Sequence, residues 1–169
     1  MARLEVALSA CILASVVGLL AGVAALASYE GSIGCPVSPP NISSGPLPGG
    51  PGLPSAPVAS GCELLYSSRE AVLLGVHLNV LAPVYFGALL GASLLAAVRR
   101  GLLPAAVLVL LYGGGALMVP RLVGAELREG VICPYCTVMH ASIIAGLVGS
   151  VLLLRSRLER SRLGAWRAS

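Results

Sequence analysis

Four long apolar stretches constrain this chain more than any other feature. Residues 6–28, 71–98, 102–120 and 131–154 contain no Arg, Lys, Asp or Glu. Each is close to or beyond the ~20 apolar residues that a membrane-spanning helix needs. In lipid, every backbone N–H and C=O must be satisfied within the segment or by a closed barrel, so such stretches become helices. Composition agrees: 57% of the 169 residues are hydrophobic and 11% are charged, against roughly 25% charged in soluble domains. High hydrophobicity also excludes a disordered chain. The expected fold is an all-α membrane protein, a four-transmembrane-helix bundle with a long extracytoplasmic loop.

The first stretch has an early Arg3, and Ala25-Leu26-Ala27 resembles a signal-peptidase site. Its apolar run exceeds the ~7–15 residues of a signal core, so a retained helix is expected. Leu8-Ser9-Ala10-Cys11 resembles a lipoprotein signal, but cleavage there would start the mature chain inside an apolar run.

All basic residues are Arg and all acidic ones Glu. Their positions explain the net charge of +4 better than nucleic-acid binding does. Arg3, Arg99, Arg100, Arg155, Arg157, Arg160, Arg162 and Arg167 fall on one side of an alternating four-span path. The other side holds Arg69, Arg121 and Arg128, diluted by Glu30, Glu63, Glu70, Glu126 and Glu129. Cytoplasmic loops are enriched in Arg and Lys, so both termini are expected in the cytoplasm, with the protein integral to the cell membrane. Residues 1–154 then form the membrane domain, including an outer loop at 29–70, and residues 155–169 form an Arg-rich cytoplasmic tail.

Within the outer loop, residues 36–57 are rich in Pro, Gly and Ser. Such a segment prefers extended, irregular backbone and reads as a tether. Residues 63–69 are expected to form a short surface helix. Gly87 with Gly91, and Ala141, Ala145 and Gly149, form small-residue stripes of the kind that let helices approach in lipid. Gly113-Gly114-Gly115 weakens the third helix or admits a neighbour or ligand, and Pro83 and Pro104 are expected to kink their spans.

The chain has five cysteines. Cys11 lies within the first span and reads as an inert small apolar residue. Cys35 and Cys62 lie in the outer loop, and Cys133-Pro134-Tyr135-Cys136 opens the fourth span at its outer end. The four therefore converge on the side where disulfides persist. Residues i and i+3 share a helix face. The first cysteine meets the unpaired N–H groups and positive dipole end of the helix, which favours thiolate. Pro134 suits the first turn. A zinc site of four cysteines, a static disulfide and a glutaredoxin-type motif compete with redox activity. The last needs a βαβ setting that the sequence lacks.

Two dithiol pairs on one face can relay electrons by thiol–disulfide exchange. The chain has no glycine-rich dinucleotide fingerprint, so a membrane quinone is the expected acceptor. His140 lies one helical turn below Cys136, where it can bond a quinone oxygen or move a proton. His77 and Asn79 in the second span are weaker candidates.

These features together resemble the vitamin K epoxide reductase family and its prokaryotic homologues. The shared pattern is four spans, two outer-loop cysteines between the first and second, and Cys-x-x-Cys opening the fourth. Locally, Cys62-Glu-Leu-Leu-Tyr-Ser-Ser-Arg69 resembles the family's second loop cysteine with its following aromatic and Ser-Ser-Arg. The resemblance covers most of residues 4–154. It implies that Cys35 exchanges with an external partner, that Cys62 passes electrons to Cys133, and that Cys136 faces the quinone. The family's catalytically important serine falls at Ser68. His140 stands where vertebrate members have a quinone-bonding Tyr. Pro83 falls near their quinone-bonding Asn and cannot supply that donor. These departures bear on epoxide reduction rather than on quinone-linked thiol oxidation.

The sequence thus predicts a quinone-dependent thiol:disulfide oxidoreductase. Cys62 would attack a Cys133–Cys136 disulfide, and the released Cys136 would reduce a quinone of the ubiquinone or menaquinone type. Electrons would come from a separate thioredoxin-like protein of the DsbA or protein disulfide isomerase kind. The alternatives are vitamin K epoxide or quinone reduction proper, and a non-enzymatic disulfide-stapled or zinc-binding membrane protein. The other quinone-linked thiol oxidase of bacteria places its Cys-x-x-Cys in the first outer loop, unlike this chain.

Overall fold

The computed structural model describes residues 2–33, 71–73, 75–99, 101–129 and 132–168. Cys35, Cys62, Ser68, the Pro-rich segment and the expected helix at 63–69 lie outside the described residues. The elements are α1 (Ala2–Tyr29), β1 (Val72–Leu73), β2 (Val76–His77), α2 (Leu78–Val98), α3 (Leu102–Glu129) and α4 (Pro134–Ala168). All four helices are long and apolar enough to cross a membrane.

Packing follows the ring order α1–α2–α3–α4, with α1 closing on α4, and the α2–α3 seam is the loosest. Three contacts fix which ends meet. Tyr29, ending α1, stacks on His77 before α2, with ring centroids 4.5 Å apart. Glu126 near the end of α3 lies against the start of α4. At the opposite end, the Arg157 guanidinium of α4 donates to the carbonyls of Ala96 at 2.8 Å, Arg99 at 3.2 Å and Gly101 at 3.1 Å. These are last-turn and post-helix carbonyls of α2, which a cation satisfies well.

The helices are turned as lipid requires, with small residues inside and large ones outside. On α1, Ala7, Cys11, Ala14, Ser15, Ala21 and Ala25 are buried, whereas Val6, Leu13 and Leu20 are 68%, 62% and 65% exposed. On α3, Leu103, Leu110 and Leu117 repeat at heptad spacing on the exposed face. Without a hydrophobic drive between helices in lipid, small residues that permit close approach dominate the seams.

A polar knot joins the helices at mid-bundle. The Tyr112 hydroxyl of α3 donates to the Cys11 carbonyl of α1 at 2.9 Å and lies 2.8 Å from the Ser15 hydroxyl. Ser15 lies 3.4 Å from Ser93 of α2. The Tyr112 ring lies across Gly146 of α4, occupying the place of a Cβ there. Phe86 of α2 does the same over Gly18 of α1.

Several expectations are corrected. Residues 71–98 are long enough for a tilted span or for a span with an interfacial lead-in, and the structure has a lead-in: a two-stranded antiparallel hairpin precedes α2, pairing Val72 with His77 and Leu73 with Val76. Its turn uses Gly75 at φ +81°, a left-handed conformation that glycine adopts readily. His77 is therefore not on the helix. α3 does not end at Pro120 but runs through it to Glu129; proline is tolerated inside spans because neighbours satisfy the freed groups. Pro104 sits in the first turn of α3, where no intrahelical bond is lost. A side chain at Gly87 or Gly91 would meet nothing within 4 Å, so that pair is not a helix seam; Gly149 is, against Ala7 and Cys11 of α1. Ala141 and Ala145 face outward. The Arg-rich segment continues α4 as helix, with Arg157 folded onto the bundle.

Candidate redox site and its cavity

Cys133 is the N-cap of α4, and Pro134 takes the first helical position, where its missing N–H costs nothing. The Cys133 carbonyl accepts the first intrahelical bond from the Thr137 N–H at 2.9 Å and another from the Thr137 hydroxyl at 3.0 Å. The Cys136 N–H donates to Cys133 Sγ at 3.4 Å. At most helix starts a Ser or Asp oxygen fills this role; here a sulfur fills it. Both cysteines stand as thiols. Cys133 is fully buried, and Cys136 is half-buried.

This geometry pulls the Cys133 thiol below its ordinary value. The largest cause is the hydrogen bond from the Cys136 thiol; burial opposes it, and the backbone N–H groups of Cys136 and Tyr135 reinforce it. The Glu126 charge pushes the other way. A depressed pKa means thiolate persists at lower pH. Alkylation of Cys133, followed by mass spectrometry, should therefore rise about tenfold per pH unit and level off at a lower pH than an ordinary thiol does. In urea-unfolded protein the rise should continue to about pH 8.5. A native profile that matched the unfolded one would refute this arrangement.

Cys136 opens onto a cavity of about 530 Å³ between α2, α3 and α4, roofed partly by the hairpin. Small-molecule sites are typically ~300–1,000 Å³, mostly apolar, with a few convergent polar groups. The wall here is Leu, Ala, Val, Met and Phe side chains, interrupted by Asn79, Tyr85, Glu126, Cys136 and His140. The two Met side chains that line it are Met118 and Met139. His140 is one turn beyond Cys136 and 9% exposed. Asn79, in the first turn of α2, is 5% exposed, and its Nδ2 has no hydrogen-bond partner among the described residues. Buried donors are ordinarily paired, so an amide turned into an apolar cavity fits a ligand with carbonyl oxygens. The Tyr85 hydroxyl donates to the Leu111 carbonyl at 2.8 Å. Its ring end reaches over Gly115, so the glycine run admits a neighbouring side chain while Gly114 and Gly115 also line the cavity.

The structure thus gathers Cys136, His140 and Asn79 around one cavity, with Cys133 directly behind Cys136. It does not bring Pro83 there. Pro83 is not a lining residue, although Ala82 and Val84 are; its backbone nitrogen faces Gly22 of α1 instead. His77 is engaged with Tyr29 and does not line the cavity. Sequence reasoning missed Tyr85 and Glu126. Glu126 counted only as an outer-side charge, yet it is 8% exposed and lies within hydrogen-bond reach of the Cys136 thiol and the Cys133 N–H. It precedes Cys133 by seven residues across a helix break, and no helical spacing links the two. The end of α3 also carries Arg121, Arg128 and Glu129, so no sequence signal set Glu126 apart from its charged neighbours.

The model of the vitamin K epoxide reductase family matches residues 9–151. No match was found among curated proteins or among solved structures.

Proposed function

The chain belongs to the vitamin K epoxide reductase family, and on that premise we propose that it oxidises a thioredoxin-like protein and passes the electrons to a quinone, supporting disulfide formation. It is a multi-pass membrane oxidoreductase; the partner, the route and the acceptor class form the proposal. One observation carries it: a helix-capping dithiol whose second sulfur opens onto an apolar cavity holding a histidine and an amide that has no partner among the described residues.

The partner's dithiol would attack Cys35 of a Cys35–Cys62 disulfide, leaving oxidised partner and a free Cys62 thiolate, which would then attack Cys133 of the Cys133–Cys136 disulfide, with Ser68 assisting. Cys136 leaves as Cys133 is attacked. The bond from the Cys136 N–H to Cys133 Sγ keeps the two sulfurs on one face, so the disulfide can re-form in place. Asn79 and His140 would hold the quinone, of ubiquinone or menaquinone type, with Tyr85, Phe86 and Met139 walling its ring. When bound, the quinone supplies a two-electron, two-proton acceptor. The buried, low-polarity wall excludes water, which keeps thiolate reactive and protons where they are donated. Both termini are proposed to be cytoplasmic, and the dithiol extracytoplasmic, from the arginine distribution.

Purified protein, given a reduced thioredoxin-like donor and a ubiquinone or menaquinone analogue, should consume one quinone per donor dithiol, read by quinone absorbance. Absence of turnover with both quinones and with donors of both the DsbA and the protein disulfide isomerase kind would overturn the proposal.

A further inference from the structure

The cavity holds one carboxylate that the electron relay leaves unused. Glu126 is in the last turns of α3, is 8% exposed, and lines the same cavity as Cys136. It lies within hydrogen-bond reach of the Cys136 thiol and of the Cys133 backbone N–H. Its Oε1 has no partner among the described residues. An acidic side chain in a membrane-embedded wall is expensive and is a functional candidate by default.

Quinone reduction by a dithiol moves protons as well as electrons. Overall both S–H bonds break, one S–S bond forms, and the acceptor gains two electrons and two protons; the Cys133 proton goes to water when that thiol ionises and the acceptor takes its equivalent from water, so the Cys136 proton is the one that moves as the electrons leave. Cys133, behind Cys136, already has a stabilised thiolate. Cys136 faces the cavity, and its proton needs a base within reach. The neighbouring groups offer little competition. Tyr85 on α2 is bound to the Leu111 carbonyl, Asn79 on α2 carries no ionisable proton, and α1 contributes no lining residue. From α4, the titratable groups that line the cavity are Cys136 and His140, the latter a turn further in, and Cys133 lies just before the helix. Arg128, on the same helix as Glu126, is exposed and does not line the cavity.

We propose that Glu126 is the base that accepts the Cys136 thiol proton and hands it, through its second carboxylate oxygen, to the acceptor in the cavity. One oxygen receives the proton from sulfur as the electrons leave, and Oε1 faces onward. The bond to the Cys133 N–H fixes the carboxylate against the start of α4, so the same residue also positions the dithiol. This inference rests on the quinone-linked reading above and assigns its proton path.

The test uses full-length protein with Glu126→Gln and Glu126→Asp, read two ways. The first readout is the midpoint of thiolate ultraviolet absorbance for the reduced protein without quinone. The second is donor-dependent quinone reduction. Glu126→Gln removes a charge that opposes thiolate at Cys133, so its absorbance midpoint should fall below the wild-type value. Its quinone reduction should nevertheless slow by roughly 10²-fold, the usual loss for a missing general base. Glu126→Asp keeps a carboxylate and should recover part of the turnover. A purely structural role would not give a more thiolate-rich pair that turns over more slowly. An unmoved midpoint, or Gln turnover within about twofold of wild type, would overturn the proposal for Glu126 alone. Wild type without quinone reduction would overturn it together with the reading it rests on.

Discussion

Cys136→Ser should abolish quinone reduction, by about a thousandfold or more. In the proposed relay the pair gives up its two electrons only by forming an S–S bond between Cys133 and Cys136. A serine in the second position leaves one thiol, which can enter a mixed disulfide but cannot complete the exchange; covalent catalysis of this kind has no bypass. The fold should survive. Cys136 is half-buried on the cavity wall rather than in the packed core, and Ser is close to it in size. The Cys136 N–H would still cap Cys133 Sγ. Two measurements separate this from general damage. Turnover with donor and quinone should vanish while the thermal midpoint in detergent stays within a few degrees. Under the proposed relay, a Cys62–Cys133 disulfide should accumulate and be found by mass spectrometry of non-reduced peptides. Turnover above a tenth of wild type would show that electrons leave by another sulfur.

Much of this architecture was legible because lipid simplifies the physics. A stretch with no charge over more than ~20 residues has one way to satisfy its backbone, so four spans could be counted from the sequence. Their ends were harder to see. α3 passes through Pro120 and extends to Glu129, because the charged end that closes the apolar run is itself rich in the good helix formers Leu, Ala, Glu and Arg. Residues 71–77 are as apolar as a span, yet Gly75 turns them back as a hairpin. Cys133, Cys136 and His140 could be grouped beforehand because they share one helix and its spacing. Glu126, Tyr85 and the exclusion of Pro83 could not, since each depends on how α2 and α3 sit against α4. A seven-residue separation across a break carries no periodic signal. Asn79 was singled out as a polar residue in an apolar run, but only packing shows that its amide lacks a partner among the described residues.

The seam glycines show the same division, and they carry the second large prediction. In sequence, Gly87 and Gly91 form the more conspicuous motif, while Gly146 belongs to a less obvious stripe of small residues with Ser142 and Ser150. In the structure the roles reverse. A Cβ on Gly87 would meet nothing within 4 Å, whereas one on Gly146 would fall within the Tyr112 ring. That ring has nowhere to go. Tyr112 is fully buried, and its hydroxyl is tied to the Cys11 carbonyl and Ser15 of α1 at 2.9 and 2.8 Å. Moving it would break the polar knot that joins α1 and α3 and leave buried polar groups unpaired, at about 1–3 kcal/mol. Holding it would force α4 outward, at a similar overpacking cost of about 1–3 kcal/mol. Gly146→Leu should therefore cost about 1–3 kcal/mol, which for a bundle of this size means a thermal midpoint lowered by roughly 2–12 °C and loss of turnover on mild heating. Gly87→Leu should stay within about 0.5 kcal/mol, as an outward-facing change does. Adding Tyr112→Ala to Gly146→Leu makes room for the leucine and should restore part of the lost stability, a coupling that independent sites would not show. If Gly87→Leu proved as damaging as Gly146→Leu, the seam would lie on the other face of the bundle and the packing of α2 against α1 would have to be redrawn.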